Sequence, residues 1–230
     1  MSELLLYSAG LDSFCAWHYL GHPPALYCDL RHRSRDHELA AIRTLAERHS
    51  IPLTISNELD LARWEAEDGI IPLRNVYFAM LASHRARTIW CAGVKGDHTA
   101  DKSPHAFFEV SRMLTEFTEQ PVRLDSPFWA MTKTDIVRWY LDQGLPVEDL
   151  LTTFSCLQPR SAGQHCGRCP SCLRRWIALA NNGVEAPFAA TPWEWPRVHD
   201  YYVPAMRDGI YPEHRSREFF TALATVGIHP

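Results

Sequence analysis

The chain has 230 residues, 46% of them hydrophobic and 22% charged, with a formal net charge of -4. That length supports one large domain or a domain with an appendage, and the composition is that of an ordinary globular protein, not a disordered or fibrous one. The acidic balance argues against a chain whose main task is gripping a nucleic-acid backbone, and no run approaches the roughly 18 apolar residues of a membrane span.

The first strand candidate is Leu4–Ser8, an apolar run with no basic segment before it and with Asp12 soon after it. No signal peptide is read there, and a cytoplasmic location is the expectation. Further strand candidates are Ala25–Asp29, Leu53–Asn57, Thr88–Gly93 and Val122–Ser126. Helix candidates fall between them at Ser13–Leu20, Asp36–His49, Asn75–Arg87, Pro104–Thr118 and Thr132–Gln143. In the second of these, Leu39, Ile42, Leu45 and Ala46 recur on one helical face. Strands alternating with helices predict an α/β fold with a mostly parallel sheet, right-handed crossovers, and ligands beyond the carboxyl ends of the strands. The alternation covers residues 1–150. A cysteine-rich segment follows at 151–182, and residues 183–230 are rich in proline and aromatics. This last region is too aromatic for a disordered linker and reads as an irregular arm packed on the body or across a two-fold dimer interface, the homodimer being the expectation.

The segment from Tyr7 to Ser13 joins the first strand to the first helix. A turn into a helix N-terminus presents unpaired N–H groups and the positive end of the dipole. Gly10 allows close approach, and Ser8 and Ser13 add hydroxyls, so the turn is an anion site suited to phosphate. No lysine follows, which excludes the GK[ST] phosphate loop. The plainer reading is an N-capped helix. The second constellation is Cys156, Cys166, Cys169 and Cys172. Four thiolates at that spacing suit a closed tetrahedral Zn²⁺ site, which is structural rather than catalytic. His165 is a competing ligand. Cys15, Cys28 and Cys91 sit in apolar contexts and read as small buried hydrophobes.

The turn resembles SGGxDS, the pyrophosphate loop of the PP-loop ATPases, with Ala9 where the usual sequence has glycine. The resemblance implies that Ser8, Ala9, Gly10, Leu11, Asp12 and Ser13 hold the phosphates of ATP. Together with the C-x9-C-G-x-C-x2-C cluster it is similar to the 7-cyano-7-deazaguanine synthase family. Within Ile70–Asn75, "IIPLRN" resembles that family's P-G-R-N, with Leu73 replacing glycine. "CDLRHRSRDHELA" at Cys28–Ala40 resembles D-Y-G-Q-R-H-x-x-E with altered spacing. "LDSPFWAMTKTDIV" at Leu124–Val137 puts Lys133 at the family's lysine, and "CGRCPSCLRR" puts Arg175 at its arginine.

The resemblance implies a ligase with a PP-loop domain and a zinc subdomain. It would adenylate 7-carboxy-7-deazaguanine with ATP and displace AMP with ammonia to give an amide. A second round would then form the nitrile. It implies Asp12, Ser13, Lys133 and Arg74 as catalytic groups, Mg²⁺ on the phosphates with Asp12 beside it, and Cys28 and Gly93 as further nucleotide contacts. The stretch Ala92–Glu109 departs from the family, with His105-Ala106-Phe107 in place of a D-C-R triplet. Asp97 and Asp101 are its available acids. Three other readings stay open. The chain is a relative that stops at the amide or joins the deazaguanine to a protein amine, as in bacterial antiviral defence. It is a tRNA-thiolating PP-loop enzyme using Cys91. Or it is a non-catalytic nucleotide-binding protein.

Overall fold

In a computed structural model the chain is described over residues 2–97, 99–159 and 163–229. Five short strands, β1 (Glu3–Leu6), β2 (Ala25–Cys28), β3 (Leu53–Ser56), β4 (Thr88–Cys91) and β5 (Arg123–Asp125), form one parallel sheet in the order β3-β2-β1-β4-β5. All pairings are parallel, with Leu5 opposite Ala25 on one side and Trp90 on the other. β2 to β5 lie within predicted strands, and β1 overlaps its predicted span, Leu4–Ser8, starting one residue earlier and ending at Leu6.

The period-2 alternation of β1 sends Leu5 and Tyr7 to one face and Leu4 and Leu6 to the other. The first face is covered by α1 (Leu11–Tyr19), α2 (Arg35–His49) and α5 (Lys133–Asp142), through Phe14, Trp17, Ile42, Leu45, Ile136 and Tyr140. The second is covered by α3 (Arg74–Ser83) and α4 (Pro104–Thr118), through Ala79, Ala82, Phe107, Val110 and Leu114. With right-handed crossovers, the chain winds outward from β1 to β3 with helices on one face. It then returns to β4 and β5 with helices on the other. The winding reverses between β1 and β4, and there the loops at the carboxyl ends part into a crevice.

Beyond the sheet lie α6 (Val147–Thr152) and α7 (Pro170–Ala180). The four cysteines flank and open α7, and their side chains belong to the same hydrophobic cluster as the sheet's first face. The C-terminal region departs from the irregular arm expected of it. After a 3₁₀ turn at Pro192–Glu194 and a π-helical turn at Val198–Tyr202 it forms α8 (Val203–Arg207) and the 13-residue α9 (Glu213–Thr225). Phe219, Ala222 and Leu223 lie at helical spacing and pack against Leu173 and Trp176 of α7. Of the two placements read for the arm, the body and a dimer interface, this arrangement corresponds to the first. No helix among the described residues is long and apolar enough to cross a membrane.

Candidate active site and metal centre

The loop after β1 is built by its own hydroxyls. The Ser8 N–H donates to Ser13 Oγ at 3.2 Å, and Ser13 Oγ–H donates to the Gly10 carbonyl at 3.1 Å. The Gly10 N–H reaches Ser8 Oγ at 3.4 Å. Gly10 is the N-cap of α1, and no side chain among the described residues caps the helix, so its first N–H groups are available to an anion. Ala9 sits at φ +50°, in the left-handed region that favours glycine, and Leu73, the other glycine replacement, sits at φ +59°. The backbone thus keeps the conformation although the residue type has changed. The Ala9 carbonyl accepts the N–H of Phe154 at 2.9 Å, tying the loop to the segment that leads into the cysteines.

Opposite the loop, Lys133 is the first residue of α5, whose start is fixed by a capping box between Thr132 and Asp135. Its ammonium pairs with Asp12. Burial pulls the Lys133 pKa down, and Asp12 partly restores it. This brings together Ser8, Gly10, Asp12, Ser13 and Lys133. Asp12 keeps its second carboxylate oxygen without a protein partner among the described residues. A Mg²⁺ ion takes one or two carboxylate oxygens plus phosphate oxygens and water, so Asp12 fits that role.

A second charged group lies here, around an acid the sequence offered but with partners it did not reveal. Asp97, nearly buried after β4, pairs with Lys102 at 3.0 Å and with Arg174 of α7 at 2.8 Å. Burial opposes its ionisation, but the two cations outweigh burial and hold its carboxyl well below the usual range. Asp101, the other available acid, accepts the Asn75 N–H at 2.9 Å and caps α3. Residue 98 of this stretch lies outside the described residues. No local signal marks the Asp97–Arg174 pair, whose partners are 77 residues apart.

Other expected residues are placed differently. Arg74 opens α3 and has no ion-pair partner among the described residues, and its charge is felt at His32 and Cys91. The Cys28 thiol lies in the second hydrophobic cluster, where burial pushes its pKa up to about 12. Gly93 is explained by Trp129, whose ring would stand 2.2 Å from a Cβ at that position. Arg175 is buried, donating to Thr153 Oγ1 and the Leu150 carbonyl at 2.6 Å each, and braces α7 against the end of α6. The basic run after β2 is absorbed by acids, Arg35 on the buried Asp29 and Arg33 on Glu65, both at 2.8 Å. Cys91 is buried and its pKa raised by desolvation, the opposite of an activated thiol.

The sulfurs of Cys156, Cys166, Cys169 and Cys172 all lie within 4.8 Å of one another. A tetrahedral ion with Zn–S near 2.3 Å needs sulfurs about 3.8 Å apart, and Cys166 and Cys172 stand at 3.8 Å. Backbone N–H groups of Cys166, Arg168 and Cys172 donate to the sulfurs at 3.3–3.4 Å, as suits thiolates. All four are buried, leaving no open coordination position. The residues present therefore fit a closed structural zinc site. His165 is not part of it, since its Nε2 accepts the Ser155 N–H at 3.4 Å. Gly167 has φ +73°, and a Cβ there would collide with the Ala190 carbonyl at 1.6 Å.

Comparison with known proteins adds to this geometry. The model of the family described as queuosine biosynthesis protein QueC matches residues 36–183. A 7-cyano-7-deazaguanine synthase of Marinobacter nauticus is 29% identical over 218 residues, covering 82% of this chain and 96% of the relative. One of Archaeoglobus fulgidus is 26% identical over 238 residues, covering 88% and 95%. One of Kineococcus radiotolerans is 33% identical over 129 residues, covering 51% and 55%.

Proposed function

The chain belongs to the family of the queuosine biosynthesis protein QueC, and on that premise we propose that it is an ATP-dependent ligase acting on the carboxylate of 7-carboxy-7-deazaguanine. The observation that carries the reading is the pairing of the hydroxyl-lined loop Ser8–Ser13 with Lys133 across the switch-point crevice. A carboxylate is a poor electrophile, because its oxygen is a poor leaving group. Its oxygen attacks the α-phosphorus of ATP and pyrophosphate departs. Ammonia then attacks the acyl carbon, AMP leaves, and the amide loses a proton. In a second round the amide oxygen attacks the α-phosphorus of another ATP and a second pyrophosphate departs; the adenylated oxygen then leaves as AMP while the nitrogen gives up its two protons, which leaves the nitrile.

Each residue has a defined task in this scheme. The N–H groups at the start of α1, with Ser8 and Ser13, receive the departing pyrophosphate. Lys133 neutralises the charge that develops on it, exchanging Asp12 for phosphate oxygens; Asp12 is the residue that would hold Mg²⁺, which when bound would draw charge from the phosphates. Zinc, when bound, supplies structural cross-linking and takes no part in the chemistry.

The loop after β4 favours a second reading, in which the reaction stops at the amide or uses a protein amine. Asp97 is consumed there by Lys102 and Arg174, so it is not free to read the base in the family's manner. Incubation with ATP, ammonia and 7-carboxy-7-deazaguanine tests both. The first reading expects AMP, pyrophosphate and, by mass spectrometry, the nitrile. An amide or protein conjugate selects the second, and ADP with phosphate overturns both.

A further inference from the structure

A cavity of about 250 Å³ lies between the start of α5, helix α7 and the C-terminal arm. The body contributes Lys133 and Arg174, and the arm contributes Tyr202, Tyr211 and Arg215. The cavity is somewhat smaller than the roughly 300–1,000 Å³ of drug-sized sites, which suits a single fused ring and not a nucleoside triphosphate. It opens beside the phosphate loop, because Lys133 lines it and also touches Asp12.

The charges in this cavity are unevenly satisfied. Lys133 has Asp12 and Arg174 has Asp97. The one acid of the lining, Glu218, accepts the Thr132 hydroxyl and makes no ion pair with Arg215 or Lys95 among the described residues. Arg215, the third residue of α9, has no carboxylate partner among the described residues and lies over the Tyr211 ring, 5.6 Å from its centroid. Lys95, on the rim, is likewise unpaired. A half-buried guanidinium beside a second arginine and without an anion is an unfavourable arrangement that an anionic ligand relieves. The close approach is built in at Gly96, where φ is +85° and a Cβ would stand 3.0 Å from His214 Nε2 and 3.4 Å from Arg215 Cδ. The arm thus comes down onto the loop after β4, and the family-model match ends at residue 183, before the arm begins.

We propose that Arg215 is the binding residue for the acid group of the acceptor, a planar fused-ring heterocycle bearing a carboxylate, held in this cavity with Tyr202 and Tyr211 against its ring. The inference rests on the ligase reading above. Arginine suits the task because its planar fork matches a carboxylate with two parallel hydrogen bonds. The acid is thereby held next to the phosphate loop, where its oxygen must meet the α-phosphorus.

Calorimetric titration of the full chain with 7-carboxy-7-deazaguanine, and with the uncharged carboxamide of the same ring, tests the assignment. Arg215→Ala should weaken the acid by about 30-fold, the scale of a lost charge-assisted contact, and the carboxamide by less than about 3-fold. Arg215→Lys should recover part of the acid affinity. If Arg215→Ala does not fold, Arg215→Gln carries the same comparison. Equal losses for acid and carboxamide, unchanged acid affinity, or a wild-type chain that does not bind the acid would each overturn the proposal. Pyrophosphate release by the wild type is read in parallel. Arg215-dependent acid binding without pyrophosphate release overturns the ligase reading alone, and turnover with Arg215-independent binding overturns this assignment alone.

Discussion

Ala9 and Gly10 are neighbours with opposite requirements. Ala9 holds a left-handed conformation that costs an L-residue about 1–2 kcal/mol, whereas Gly10 has an ordinary φ of -70°. Ala9→Gly should therefore raise stability by about 0.5–1 kcal/mol after the entropy of glycine is subtracted, read as a shift in urea midpoint with an unchanged slope. Gly10→Ala brings a methyl to 3.3 Å from Ser8 Oγ and 3.6 Å from the Phe154 carbonyl. It should reduce pyrophosphate release at least about 10-fold while the fold persists, and unimpaired turnover would remove the loop from the phosphate site. Asp97 gives a pH-dependent test. Its folded pKa is depressed, so its contribution is fully present above about pH 4 and is lost as pH falls through the folded value. Asp97→Asn should cost about 3 kcal/mol at pH 7 and flatten the acid limb of the stability curve below pH 4, as measured by denaturant unfolding at a series of pH values. The Ala9 replacement is legible in the sequence as an alanine in a glycine's place, whereas the Asp97 effect is not, because Arg174 stands 77 residues away in the chain.

At the level of elements, the strands and the helices between them were legible because each carries its own periodicity and punctuation. Pro104 follows the N-cap Ser103, which accepts the Ala106 N–H at 3.1 Å, and that helix occupies its expected span, Pro104–Thr118. The arm was misread because Pro192, Pro204 and Pro212 suggest irregular chain. Pro192 and Pro204 instead fall in the first turn of a short helical segment and Pro212 is the N-cap of α9, positions where a missing N–H costs little. The spacing of Phe219, Ala222 and Leu223 was the available signal. The cysteine hairpin makes a distinct prediction, since its side chains sit in the cluster that covers the sheet. One zinc per chain is expected by elemental analysis, with loss of the metal in Cys169→Ser. Because the cluster is shared, metal removal should lower a single cooperative thermal transition of the whole chain; a separate low-temperature transition would mean an independent subdomain.

The whole molecule depends on the arm for more than a lid over one cavity. Leu173 and Trp176 of α7 are buried against Val198, Phe219 and Leu223, so deleting residues from 184 onward uncovers an apolar face. The truncated chain should aggregate or unfold at markedly lower temperature, as seen by light scattering during heating. Phe219→Ala, which removes a fully buried ring, should cost about 3–5 kcal/mol, with hydrogen exchange speeding first in the arm and α7. The strand order was out of reach of any local pattern, since periodicity identifies strands but not their neighbours. That order also bears on how the protein is made. The strand synthesised first ends at the centre of the sheet, flanked by β2 and β4. Once residue 56 has emerged, β1, β2 and β3 can all pair, but the other edge of β1, carrying Leu4, Leu5 and Leu6, waits for Thr88–Cys91. At about 5–20 residues per second that interval is roughly 2–7 s on the ribosome. During it an apolar strand edge stands open to any neighbouring nascent chain, so the yield of soluble protein should depend on translation speed and on chaperones that cover such edges.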